Sequence, residues 1–346
     1  MKGADLMVPE RYSRQIRYRH IGAKGQEKLL SSFVVIVGMG ALGCVSANEL
    51  VRAGVGHLRF IDRDLVELSN LQRQVLYTEE DAAGAVPKVT AAARKLRAAN
   101  SDVKLEPVFG DLNPGNIDAL LEGAGLIIDA TDNLETRYLI NEYCVENQIP
   151  WVYGGAVGSE GMMAPFLPGG PCFSCFSGHT QTYGKAPGRT CSTAGVLGSL
   201  TALVASLQVT EGIKILTGSD AVRKDLLYIE LWENEFCTIP VEKNPECPVC
   251  GRHQYHYLGH AAGTQAVSVC GQDAWQIIPA GTRSPDFTLL KEKLEPMGTV
   301  ILKPWCLEFD SPEASFRLFK DGRAIIHGVE TEGRAKSIYS EYIGGL

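Results

Sequence analysis

The chain has 346 residues, 45% of them hydrophobic and 21% charged, enough to bury one large core and a smaller one. A formal net charge of −7 argues against a nucleic-acid partner, which needs a concentrated basic surface. The opening MKGADLMVPERYSRQIRY has no apolar core of signal-peptide length, and no later stretch reads as long and uninterrupted enough to span a bilayer, so a cytoplasmic chain with no membrane partner is expected.

In chain order, residues 10–30 read as helical and basic, with Arg11, Arg14, Arg17 and Arg19 ahead of the first strand. FVVIVG (33–38) reads as a buried strand, too short and too β-branched for a helix. A helix follows to about residue 53, and HLRFIDRD (57–64) reads as the second strand. PKVTAAARKLRAAN (87–100) is a helix with Pro87 in its first turn. VKLEPVFG and GLIIDAT (125–131) supply two more strands, with NPGNIDALLEG as the helix between them. This alternation predicts an α/β fold, a Rossmann-like and mostly parallel sheet with helices on both faces.

The second half is less regular. IPWVYGGAVGSEGMMAPFLPGG (149–170) reads as strands with glycine-rich turns, and SGHTQTYGKAPGRT (177–190) has a loop composition. AGVLGSLTALVASLQVTEGIKIL (194–216) reads as a long apolar helix. The pattern resets near 252–268, which predicts one domain over 1–255 and a small C-terminal α/β domain over 268–346, with a hairpin around LFKDGRAI and a last helix in ETEGRAKSIYSEY.

The first strand runs into Gly38, Gly40 and Gly43, spaced G-x-G-x-x-G. The first glycine permits the tight turn, the second lets phosphates approach the backbone, and the third lets the helix pack on the strand. Asp62 ends the second strand about twenty residues later, where a carboxylate can hold ribose hydroxyls. An adenine nucleotide is therefore expected, but NAD and ATP stay open, because both present a ribose and a pyrophosphate. Hydride transfer needs a nicotinamide slot and usually a proton donor, and nothing here announces either. Nucleotidyl transfer needs cations around the phosphates and a carboxylate for magnesium. Arg14, Arg73 and Lys88 can supply the first and Asp132 the second, since loops after successive parallel strands converge on one edge. Asp132 also stands where it can cap the helix LETRYLINEYC.

Ten cysteines without an export signal suggest reduced thiols, metal or catalysis rather than disulfides. Cys172-x-x-Cys175 and Cys247-x-x-Cys250 have the spacing of a tetrahedral structural zinc site, with a redox pair as the alternative. Cys191 follows a segment containing Lys185 and Arg189 and precedes the apolar helix, a setting that favours the thiolate. Cys44, Cys144, Cys237, Cys270 and Cys306 lack a partner pattern and read as bystander thiols.

Taken together and in order, RYSRQ (11–15), GMGALG (38–43), DLVELSNLQRQ (64–74), ATDN (130–133), the two CxxC pairs and CSTAGVLG (191–198) resemble the ThiF/MoeB/HesA adenylyltransferases, relatives of ubiquitin-activating enzymes. The resemblance covers about residue 9 to residue 252. It implies ATP as substrate with Mg2+, and activation of the C-terminal glycine carboxylate of a small ubiquitin-like sulfur carrier ending in Gly-Gly. By the same resemblance, Asp62 would hold the ribose and Gly40 with its neighbours would face the phosphates. Asn70, Arg73 and Lys88 would neutralise the triphosphate, Asp132 would hold magnesium, and the four paired cysteines would hold structural zinc. Arg14 resembles the arginine that such enzymes donate across a dimer interface, which implies a homodimer. Cys191 matches a cysteine that takes part in a persulfide or covalent step in ThiF-like members. ThiS-type (thiamin) and MoaD-type (molybdopterin) carriers lead. Another ubiquitin-like protein, a modified-tRNA branch, a nicotinamide oxidoreductase and a non-catalytic scaffold are the alternatives. The family core says nothing of residues 268–346, for which a carrier-docking platform is the expectation by position alone.

Overall fold

The computed structural model describes residues 10–177, 195–259, 265–268, 274–279 and 285–343, and it divides into compact units over Met1–Gly259 and His260–Leu346. The first unit is built on strands β1 (Phe33–Val37), β2 (His57–Asp62), β3 (Lys104–Phe109), β4 (Leu126–Asp129), β5 (Trp151–Val157), β6 (Glu160–Phe166), β7 (Leu226–Glu230) and β8 (Glu235–Ile239). They form one sheet in the order β3-β2-β1-β4-β5-β6-β7-β8. The pairs from β3 to β5 are parallel, and β6, β7 and β8 extend the sheet antiparallel. The parallel half needs apolar side chains on both faces, which is why its strands read as continuous Val/Ile runs rather than as alternation.

The helices are α1 (Ser13–Ile16), α2 (Gly22–Ser31), α3 (Ala41–Ala53), α4 (Glu79–Ala83), α5 (Lys88–Ala99), α6 (Ile117–Leu121), α7 (Leu134–Glu146), α8 (Phe173–Ser177) and α9 (Gly198–Thr217). Val34, Ile36, Leu58, Phe60 and Ile128 face α3, α5 and α9 in one core. Val35, Val37, Ile61, Ile127 and Trp151 face α6 and α7 in the other. The helix expected over 10–30 is instead broken between α1 and α2, and the chain enters α2 through Gly22 at φ +61, outside the right-handed helical region.

One helix corrects the expectation about membrane-length segments. α9 has 20 residues and a mean hydropathy of 1.2, so it meets that test by length and composition. It lies on the sheet, with Leu200, Val204 and Val209 in the core. Its buried Gln208 donates through Nε2 to the carbonyls of Asp129 (2.7 Å) and Val152 (3.1 Å). The same apolar face serves the interior of a globular protein.

At the end of β4 the fully buried Asp129 accepts from Nε of Arg137 on α7 at 2.7 Å. Arg137 Nη2 also donates to the carbonyls of Thr131 (2.8 Å) and Gly154 (3.3 Å), and its guanidinium lies 4.7 Å from the centre of the Tyr153 ring. The second carboxylate oxygen of Asp129 accepts from the amide and hydroxyl of Thr131. The 130–133 loop is thus fixed by a buried ion pair that also bonds its backbone.

The second unit contains β9 (Gln265–Ser268), β10 (Ala274–Ile278), β11 (Thr299–Leu302), β12 (Cys306–Asp310), β13 (Ser315–Phe319) and β14 (Ala324–His327), with helices α10 (Phe287–Leu294) and α11 (Glu332–Tyr342). Its strand order is β11-β12-β13-β14-β10-β9, antiparallel throughout. Leu307, Phe309, Phe316, Leu318 and Ile326 make its core with Leu290, Ile338 and Tyr342 of the helices. The β13–β14 hairpin turns at Gly322, with φ +86, as LFKDGRAI implied.

Two outcomes are expected. In Gly43→Ala the new Cβ would stand 2.0 Å from the Gly38 carbonyl oxygen, so α3 must leave β1, at a cost of about 3 kcal/mol in urea unfolding. Arg137→Met leaves Asp129 buried without a counter-charge and should cost about 3–5 kcal/mol by the same measurement.

Candidate nucleotide site and cysteine cluster

The glycine turn sits at the carboxyl edge of β1. Gly38 has φ +94, and a Cβ there would meet the Ala130 carbonyl oxygen at 2.5 Å, so neither its conformation nor its space admits a side chain. A Cβ on Gly40 would find only Gln74 Nε2, at 3.8 Å, which leaves open the space above the turn. The peptide between them is clamped at both ends. The Met39 amide donates to Asp62 Oδ2 at 2.6 Å, and the Tyr77 hydroxyl donates to the Met39 carbonyl at 2.6 Å.

Asp62 therefore does more than end β2 at a ribose position. Its other oxygen accepts from the amide of Asp64 at 2.7 Å. Burial pushes the Asp62 carboxyl up, and the Lys88 ammonium pulls against that shift. Lys88 opens α5 and is itself buried, with Nζ 2.8 Å from Asp64 Oδ2. Burial acts to lower the Lys88 pKa, but Asp64, Asp62 and Asp132 outweigh it and hold the ammonium charged.

Asn70 is buried, and its Oδ1 accepts from the Glu67 amide while Nδ2 donates to Ser69 Oγ. Arg73 is half-buried, with Nη1 on the Ser69 carbonyl at 3.1 Å. Asp132 is exposed on the loop that Arg137 fixes, and its charge acts on Arg63, Lys88 and Arg137. It does not cap the following helix. Asn133 does, accepting from the Thr136 amide at 2.8 Å, so the cap lies one residue later than the sequence suggested and the Asp132 carboxylate is left for other work. Arg14 is exposed on α1, and among the described residues no hydrogen bond or ion pair joins it to this edge. Cys191, Lys185 and Arg189 lie outside the described residues.

Glycine turn, Asp62, Lys88 and Asp132 thus share one edge, as expected of loops after parallel strands. Arg63, Asp64, Asp111, Tyr77 and Arg137 were not anticipated. Asp64 was within reach, because two acids at i and i+2 leaving a strand end point to the same side. Arg137 carries no such signal, since its value lies in a partner eight residues away that only the β4–α7 packing buries.

The four paired cysteines converge, with all Sγ atoms within 4.8 Å of one another. Cys172 and Cys247 are 3.7 Å apart, and Cys175 and Cys250 3.4 Å. A hydrogen bond between Cys172 and Cys175 drives the Cys172 thiol up and pulls Cys175 down to about 4. A four-sulfur set of this kind suits a tetrahedral metal ion. α7 braces it: the Asn141 side chain accepts from the Phe173 amide at 2.9 Å, and Glu142 accepts from the amides of His256, Tyr257 and Leu258. Of the remaining thiols, Cys44 is pushed up to about 11 by burial, Cys144 and Cys306 are raised for the same reason, Cys237 is exposed, and Cys270 lies outside the described residues.

Residues 12–249 match the model of the ThiF family. The sulfur carrier protein ThiS adenylyltransferase of Bacillus subtilis is 41% identical over 338 residues, covering 96% of this chain and 99% of its own. The SAMP-activating enzyme E1 of Haloferax volcanii is 40% identical over 248 residues, 71% of this chain and 90% of its own. The molybdopterin-synthase adenylyltransferase of Escherichia coli is 38% identical over 246 residues, 70% of this chain and 96% of its own. Among solved structures, E. coli MccB shares the fold, with a TM-score of 0.62 at 23% identity over 70% of this chain and 76% of MccB. With the family model spanning the sheet, the glycine-turn edge and three of the four clustered cysteines, this chain belongs to the ThiF family.

Proposed function

We propose that this chain is an enzyme that uses ATP to adenylylate the C-terminal glycine carboxylate of a ubiquitin-like sulfur carrier protein, releasing pyrophosphate. One observation carries this: a clamped glycine turn, Asp62, a buried Lys88 and Asp132 share one edge in a chain aligned over 338 residues with a ThiS adenylyltransferase. A ThiS-type carrier is favoured over a MoaD-type one because that alignment runs into the second unit, while the molybdopterin-synthase relative aligns over 246 residues. The second unit is accordingly read as a platform for the carrier, and the enzyme as cytoplasmic.

The chemistry needs cations more than it needs a base. The attacking carboxylate is already ionised near neutral pH, so the barrier is its approach to a polyanion. Lys88, kept charged by Asp64, faces the phosphates from the start of α5, and Arg73 and Asn70 complete the cradle. The open face of Gly40 admits the phosphates, and Asp62 holds the ribose while keeping the turn in place. Asp132 would hold Mg2+, which when bound neutralises phosphate charge. The four cysteines would hold Zn2+ as a structural tie, away from the reaction. Arg14, exposed and joined to this edge by no hydrogen bond or ion pair among the described residues, fits a cation given to the neighbouring site of a homodimer. Cys191 is assigned the covalent step after adenylylation, in which its thiolate would attack the acyl-adenylate carbon, form a thioester with the carrier and release AMP.

ATP–pyrophosphate exchange tests this with ThiS-type and MoaD-type carriers ending in Gly-Gly. Exchange should require a carrier and its last glycine, and Asp132→Ala should lower it at least about 100-fold. Tight binding of NAD with no binding of ATP would sink the assignment. Elemental analysis should find one zinc per chain, and Cys250→Ser should release it and lower the unfolding temperature, because metal binding contributes directly to folding. A metal-free protein with two disulfides would overturn the zinc assignment.

A further inference from the structure

We propose that Asp111, held by Arg63, recognises the exocyclic amino group of the nucleotide base and so selects adenine over guanine. This rests on the nucleotide-binding proposal above and adds the part of the ligand that proposal leaves unread.

Strand order gives the direction of the ligand. Phosphates belong over the Gly38–Gly40 turn at the end of β1, and the ribose at Asp62 on the end of the next strand, β2. One strand spacing further, about 4.8 Å, lies the end of β3, where the base must fall if the nucleotide continues in the same direction. The register makes this step direct: Asp62 pairs with Phe109, and the Gly110 amide donates to the Asp62 carbonyl at 3.1 Å. Gly110 brings no side chain, and a Cβ placed there would have nothing within 4 Å, so a flat ring has room. The next residue is Asp111.

Asp111 is held as a recognition group needs to be. Its carbonyl accepts from Asn116 Nδ2 at 2.8 Å, which pins the loop backbone. Its carboxylate meets Arg63 Nη1 at 3.1 Å, with side chains 14% and 24% exposed. A carboxylate paired with a guanidinium is acceptor-only. It complements the amino donor at position 6 of adenine and repels the carbonyl oxygen at position 6 of guanine. If the Arg63–Asp111 pair served only to fasten the ends of β2 and β3, its removal would change stability and leave base preference as it was.

The test is equilibrium displacement of a fluorescent ATP analogue from the full chain, without carrier, by ATP, GTP and purine riboside triphosphate, which has hydrogen in place of the amino group. Wild type should bind ATP about 10–100-fold more tightly than purine riboside triphosphate, and GTP no better than the latter. Asp111→Ala should bring ATP and purine riboside triphosphate within about twofold of each other, mainly by weakening ATP. Asp111→Asn, of the same shape, serves if the alanine chain does not fold, and should narrow the ATP to GTP ratio because its amide can donate to the guanine oxygen. Arg63→Lys should keep most of the ATP preference. Folded Asp111 variants with the wild-type ATP to purine riboside triphosphate ratio overturn the proposal while leaving ATP binding intact. A wild-type chain that binds no ATP overturns the nucleotide assignment itself, and this proposal with it.

Discussion

The carboxylate of Asp62 accepts from two amides that belong to different turns, Met39 on the glycine loop and Asp64 beyond β2. Much of the site depends on that bridge. It orients the Gly38–Gly40 turn, sets where the chain leaves β2, and places an anion that must be compensated. Burial raises the cost of its charge, and the Lys88 ammonium is the largest opposing influence. Lys88 is in turn held charged by Asp64, so three side chains form one mutually dependent group at the sheet edge. The cation proposed to face the phosphates is therefore built into the fold before any ligand arrives, which is what electrostatic catalysis requires.

α7 plays the corresponding part on the other face of the sheet. Near its start, Arg137 ties the 130–133 loop to Asp129 and to β5. Along its later turns, Asn141 fastens the start of α8, which follows Cys172 and carries Cys175, and Glu142 gathers the chain that leaves Cys247 and Cys250. One helix thus joins the loop of Asp132 to the cysteine cluster. Both buried charges along it, Arg137 and Glu142, make several hydrogen bonds, the condition under which such groups fix a geometry rather than weaken it.

Much of this was legible in the residues. Three glycines in fixed spacing after a β-branched run demand a strand, a tight turn and a close helix, because two of those positions have no room for a Cβ, as Gly38 and Gly43 show. Two CxxC pairs state their chemistry in their spacing, although 75 residues separate Cys172 from Cys247. The apolar periodicity of the first half likewise leaves little choice but a covered parallel sheet. The sequence alone therefore determined the nucleotide turn, the parallel core and the identity of the four-sulfur set.

Only the tertiary structure decided how the charges pair. Asp64, Arg63, Asp111 and Arg137 are ordinary surface residue types, and their weight comes from partners brought together by strand order and, for Arg137, from burial. The same holds for the cap of α7, where a one-residue shift gave the role to Asn133 rather than Asp132. It holds too for α9, whose composition would suit a bilayer but whose Gln208 reaches two sheet carbonyls. The physical reason is common to all of them. Apolar patterning and glycine sterics act over a few residues and are written locally. The free energy of a charge depends on its surroundings, and those exist only once distant segments have packed.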